Sequence, residues 1–122
     1  MTGWAGRPAT RALATTLGVA NLGLVVAPDR VVDALAPAPV RPPRWLVRLL
    51  GTRVLFQQLA VLLVPTRRVV LLGAAVDGLH ATSMVAAAVC WPAHRRAAAV
   101  SAATAGASAV LEVLAAPPAS QA

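Results

Sequence analysis

Four long apolar runs alternate with short polar or proline-bearing stretches along this chain. The first run extends from about Arg11 to Ala27 and stops at Pro28; the second runs from Trp45 to Val64 and stops at Pro65. The third runs from Val69 to Trp91 and stops at Pro92; the fourth runs from Ala97 to Ala116 and stops at Pro117-Pro118. Proline lacks the amide hydrogen a helix interior needs and clashes with the preceding turn, so each stop has a mechanical cause. Crossing the hydrocarbon takes about 20 helical residues at about 1.5 Å each. The pattern therefore predicts an all-α integral membrane bundle of four transmembrane helices, at about 11–27, 45–64, 69–91 and 97–116.

The first run is the short one. It needs residues back towards Arg7, or a thinner bilayer. It also has signal-peptide features, with Arg7 and Arg11 as a basic flank and Ala34-Leu35-Ala36 as a cleavage-like triplet. Cleavage there would fall before Pro37 and well beyond the apolar run, which favours a retained helix, though the sequence leaves both readings open. Residues 29–36 read as a short amphipathic helix lying in the interface. Asp29 would cap it, and Val31, Val32 and Leu35 would share one face. Pro37, Pro39, Pro42 and Pro43 make residues 37–43 a stiff connector. The remaining turns are short, so helices two, three and four are expected to be sequential antiparallel neighbours. That arrangement puts Trp45 and Trp91 at one face, where aromatic belts sit. The whole chain reads as one domain, with flexible tails at 1–9 and 117–122.

Composition supports lipid as the solvent. Apolar residues make up 58% of the chain and charged residues 12%, against about 45–50% and 25% in soluble domains. A soluble domain this small leaves too much surface wet to hide that excess. All eleven basic residues are arginine, which with the Ala/Val/Pro-rich vocabulary points to a GC-rich genome. The formal charge of +7 raises nucleic acid as a partner. The arginines flank apolar runs instead, as they do against anionic head groups, so the expected partner is the bilayer and no nucleic acid. Arg7, Arg11, Arg67 and Arg68 fall at one face; Arg30, Arg41, Arg44, Arg95 and Arg96 fall at the other, with Arg48 a turn inside. This bias slightly favours both termini outside. Cys90 stands alone, so no intrachain disulfide forms; beside Trp91 it reads as a palmitoylation site or, better, a small buried hydrophobe.

The candidate chemistry lies inside the apolar runs. Arg53 precedes the Pro65-Thr66 turn by about a dozen residues and Asp77 follows it by about as many, so both reach the same depth. Gln57 lies one turn from Arg53, and His80 one turn from Asp77. The spacing predicts an Arg53–Asp77 ion pair supported by Gln57 and His80, because charges at that depth cost roughly 2.5–3.5 kcal/mol each unless paired. One reading makes Asp77 and His80 a proton or ion relay. The other makes the cluster a polar clasp fixing the register of two helices; it is preferred, since one histidine and one paired acid make no pathway across a membrane. Glu112 is expected to be neutralised by Arg11, Arg67 or Arg68, and Asn21 to bond across to a neighbouring helix. In helix four Ala102, Gly106 and Val110 form a small-residue stripe, suited to dimerisation or to packing on helix three. No second histidine within an apolar run offers haem ligation, no Cys/His cluster offers zinc ligation, and HExxH, GxSxG and phosphate-binding glycine loops are missing. The sequence assigns no cofactor, no metal and no catalytic residue.

The stretches Leu49-Leu50-Gly51-Thr52-Arg53-Val54-Leu55, Val76-Asp77-Gly78-Leu79-His80-Ala81-Thr82-Ser83-Met84 and Leu22-Gly23-Leu24-Val25-Val26-Ala27-Pro28-Asp29-Arg30 resemble small four-helix membrane proteins of high-GC bacteria, loosely similar to DoxX-like proteins. The resemblance spans roughly residues 11–115. It implies a four-helix bundle in a bacterial inner membrane, with Arg53, Asp77 and His80 at matching positions, and it carries over no ligand or catalytic residue. The leading expectation is a multi-pass cell-membrane protein without enzymatic activity, a structural or accessory subunit packed against itself or a larger complex. The alternative is a small transporter or a quinone- or redox-linked membrane protein using the Arg/Asp/His cluster.

Overall fold

The computed structural model describes residues 2–119, with backbone only for 2–7. Five α-helices carry almost all of it: α1 (Thr2–Val26), α2 (Pro28–Leu35), α3 (Arg44–Leu63), α4 (Arg67–Cys90) and α5 (Arg95–Ala115), with a 3-10 turn at Pro92–His94 before α5. The prolines set the boundaries as expected. Pro28 opens α2 in its first turn, where a missing N–H costs nothing. Thr66 caps α4, its hydroxyl accepting from the Val69 amide at 3.3 Å. Helix α1 begins nine residues earlier than the apolar run suggests, carrying Pro8 within it. The tails expected at 1–9 and 117–122 lie partly outside the described residues; within them, 2–7 are helical and Pro117 is fully buried.

Among the described residues four helices are long and apolar enough to cross a membrane: Pro8–Val26, Arg44–Leu63, Arg67–Cys90 and Pro92–Ala115. Exposure runs inside out relative to a soluble domain. Leu114, Leu79 and Phe56 are 76%, 71% and 69% exposed. The interior holds small residues such as Ala14, Val61 and Val70 beside the polar Thr10, Gln58, Asp77 and Glu112. Apolar solvent outside is the arrangement's natural counterpart.

The helices pack as two pairs. Helix α1 lies chiefly on α3, and α4 on α5, while backbone contact between α3 and α4 is sparse. This modifies the expectation of sequential neighbours. Gly51 explains the first pair: a Cβ there would sit 2.8 Å from Leu24 Cβ and 3.0 Å from the Asn21 carbonyl, so only glycine lets α3 approach α1 this closely. Asn21 itself donates to Leu17 O of its own helix at 2.8 Å rather than across the bundle. Helix α5 lies on α4, but the stripe is not what meets it, since Val110 is exposed. Its Gly106 likewise faces open space. Cys90 is exposed, not buried, because it ends α4 beside the exposed Trp91.

At the end holding α2, arginines satisfy chain carbonyls that the helix termini leave over. Arg48 donates to Val25 O at 3.1 Å, Arg95 to Ala88 O at 2.8 Å, and Arg96 to Pro37 O at 2.7 Å. Arg41 grips Asp33 through Nε at 2.8 Å, and Arg44 grips Asp29 at 2.8 Å, tying the proline connector to α2. The hydrogen bond from Arg41, then its charge, holds the Asp33 carboxyl below its usual range; Asp33 in turn raises Arg41.

Two outcomes follow from this packing. Gly51→Ala should destabilise the bundle by about 1–3 kcal/mol through overpacking. Gly106→Ala should be neutral or gain up to about 1 kcal/mol of helix propensity. Denaturation midpoints in mild detergent separate the two. At the α2 end, a lowered acid contributes above its unfolded pKa and is lost as pH falls through the folded one. Hydrogen-exchange protection of the α2 amides, corrected for intrinsic rates, should hold from pH 8 to 5 and fall only below about pH 4. Asp33→Asn should lower it throughout.

Candidate functional site

The helix pairs meet at a polar cluster built by α3, α4 and α5. Arg53 and Gln57 stand one turn apart on α3, and Arg53 Nη1 donates to Gln57 Oε1 at 3.1 Å. Arg53 Nη2 reaches Asp77 Oδ1 on α4 at 3.4 Å. Gln57 Nε2 then faces three acceptors: Asp77 Oδ2 at 3.1 Å, Gly73 O at 3.4 Å and, on α5, Glu112 Oε2 at 3.4 Å. A primary amide has two hydrogens, so these acceptors share them. Gly73 makes the room. A Cβ there would lie 2.9 Å from Glu112 Oε2 and 3.0 Å from Gln57 Nε2.

The depth count thus places Arg53, Gln57 and Asp77 together, and the structure joins them directly. His80 takes another partner: its Nε2 pairs with Ser101 Oγ on α5 at 2.9 Å, on the α4–α5 side of the bundle. Glu112 departs further from expectation. It accepts from Gln57, whereas Arg67 donates to Pro117 O at 3.0 Å. Glu112 lies nearer its helix end than Asp77 does, so counting by depth pairs it with surface arginines. Its side chain instead points inward, because Gly73 opens a place for it beside Gln57.

Charge and burial are unevenly shared. The Asp77 side chain is 3% exposed, while that of Arg53 is 29% exposed. Glu112 and Gln58 are both 2% exposed. Arg53 Nε, Gln58 Nε2 and Glu112 Oε1 have no partner among the described residues. Beside Glu112 lies a cavity of about 10 Å³ lined by Thr10, Leu13, Gln58, Val61 and Val70 among others; that is the room one water-sized particle needs. Thr10 closes it towards the N-terminal end, its hydroxyl donating to Ala115 O. No group of three His, Cys, Asp or Glu residues suited to a metal ion occurs among the described residues.

Comparison with known proteins adds no relative. No protein-family model, curated protein or solved structure matches this chain.

The cluster predicts a non-additive mutant series. Arg53→Met leaves the buried Asp77 carboxylate with no countercharge. Its cost should fall at the low end of the about 3–5 kcal/mol lost on breaking a buried pair, because Arg53 is part-exposed. Adding Asp77→Leu should recover much of that loss, giving a coupling energy above about 1 kcal/mol in a double-mutant cycle. Additive losses would mean that the two side chains do not interact.

Proposed function

We propose that this chain is a multi-pass membrane protein without enzymatic activity, an accessory or structural subunit of a larger membrane assembly. The Arg53–Gln57–Asp77–Glu112 cluster is its internal clasp. The observation that carries this reading is the single Gln57 amide facing acceptors on two other helices, so that one side chain of α3 ties α4 and α5 to it. In a bilayer no hydrophobic force selects which helix faces meet, so packing and interhelical hydrogen bonds do. Gly78 on α4 and Gly106 on α5 support the accessory role, because each leaves open space in which a neighbouring helix could pack closely.

The alternative, a small transporter or quinone- or redox-linked protein, draws less support from the geometry. His80 is engaged with Ser101, and the cavity beside Glu112 is far smaller than a quinone ring.

Affinity purification of the tagged protein from native membranes in mild detergent, with mass spectrometry of everything retained, tests the proposal. A reproducible, near-stoichiometric partner is expected. A partner-free species with a bound quinone or visible chromophore would sink it. Asp77→Asn should lower thermal stability while the folded fraction still retains the partner; loss of an ion- or proton-dependent activity in a fully stable variant would favour the alternative.

A further inference from the structure

Arg53 carries the one positive charge of the cluster against the two carboxylates of Asp77 and Glu112. Arg53 pairs with Asp77, so Glu112 is left 2% exposed with no cation at hydrogen-bond distance. A carboxylate so placed is strongly unfavourable unless a counter-charge joins it. A second, independent feature marks where. Among the described residues Glu112 Oε1 has no partner, nor has Gln58 Nε2, and both side chains line the water-sized cavity.

We propose that this cavity, between Glu112 and Gln58, is a binding site for one monovalent cation, taken up as a proton or as a sodium ion. Its polar lining is Glu112 from α5, Gln58 from α3 and Thr10 from α1; beside it Gln57 of α3 bonds to Glu112 and shares the same amide with Asp77 of α4, which Arg53 holds. Either form of the cation suits this lining. A proton resides on Glu112, and a water in the cavity links Oε1 to the Gln58 NH₂. A sodium ion takes Glu112 Oε1 and requires the Gln58 amide to rotate, so that its oxygen replaces the NH₂ group, since carboxylate and amide oxygens suit hard cations. The charge count limits the site to a single positive charge. The inference goes beyond the accessory role and stands whether or not a partner is found.

Glu112 is the only glutamate in the chain, so ¹³C-carboxyl glutamate labels this one site for infrared spectroscopy of the full-length protein in lipid nanodiscs. A protonated carbonyl band at pH 7 that converts to carboxylate at alkaline pH supports the site with a proton in it. A carboxylate band that shifts when sodium chloride replaces choline chloride supports it with sodium. A carboxylate band indifferent to both overturns the proposal. As a second readout, the wild-type denaturation midpoint should fall with rising pH or rise with sodium, and Glu112→Gln should abolish that dependence. An unchanged dependence in Glu112→Gln also overturns it. Should the variant fail to fold, the wild-type band decides.

Discussion

Gln57 holds a position that no other residue of the bundle duplicates. It accepts from Arg53 on its own helix and presents one amide nitrogen to acceptors on α4 and α5. In hydrocarbon such groups have no water to turn to, and each must find its partner inside. The rest of the packing accommodates that requirement. Gly73 gives up its side chain where the amide and the Glu112 carboxylate come together. Helices α3 and α4, joined by the short turn at 64–66, keep their backbones apart because long polar side chains lie between them. Close approach is left to α1 with α3 and to α4 with α5. Below the cluster, Ala14, Val61 and Val70 bring three helices into one small apolar core.

Such a cluster is a weak source of net stability. Interhelical hydrogen bonds in membranes average about 0.6 kcal/mol, and a buried ion pair often merely offsets its own desolvation. Its effect is selective. Rotating α4 by one residue would carry Asp77 away from Arg53 and Gln57 and into contact with whatever solvent surrounds the bundle. Alternative packings are penalised more than the native one is rewarded.

Much of this fold could be read along the chain, because prolines punctuate it and helical rise converts residue counts into depth. Pro28, Pro65 and Pro92 mark helix ends to within about two residues, and equal counts from Pro65 bring Arg53 and Asp77 level. Depth says nothing of azimuth. His80 and Asp77 are three residues apart on one helix, yet one turns to α5 and the other to α3. Glu112 was assigned by depth to surface arginines, whereas its direction is set by the gap at Gly73. The α1–α3 pairing depends on Gly51, and an isolated glycine in an apolar run carries no mark of which helix it admits. Cys90 is exposed and Asn21 bonds within its own helix for a similar reason: residue type suggests burial or a partner but does not say which side of the helix faces the bundle.

The arginines divide the remaining work by position. Arg48, Arg95, Arg96 and Arg67 donate to main-chain carbonyls, while Arg41 and Arg44 fasten the connector to α2. These contacts lie near helix ends, where long side chains reach polar surroundings and complement the negative pole of a helix. Arg53 alone among the described arginines enters the middle of the bundle, and it enters with two acids. One base would balance one acid and leave a closed, neutral clasp. The second acid exceeds what that one base balances. Glu112 belongs to both arrangements, since one carboxylate oxygen meets the Gln57 amide of the clasp and its side chain lines the neighbouring cavity, so the charge state of that one acid bears directly on how the two pairs are held together.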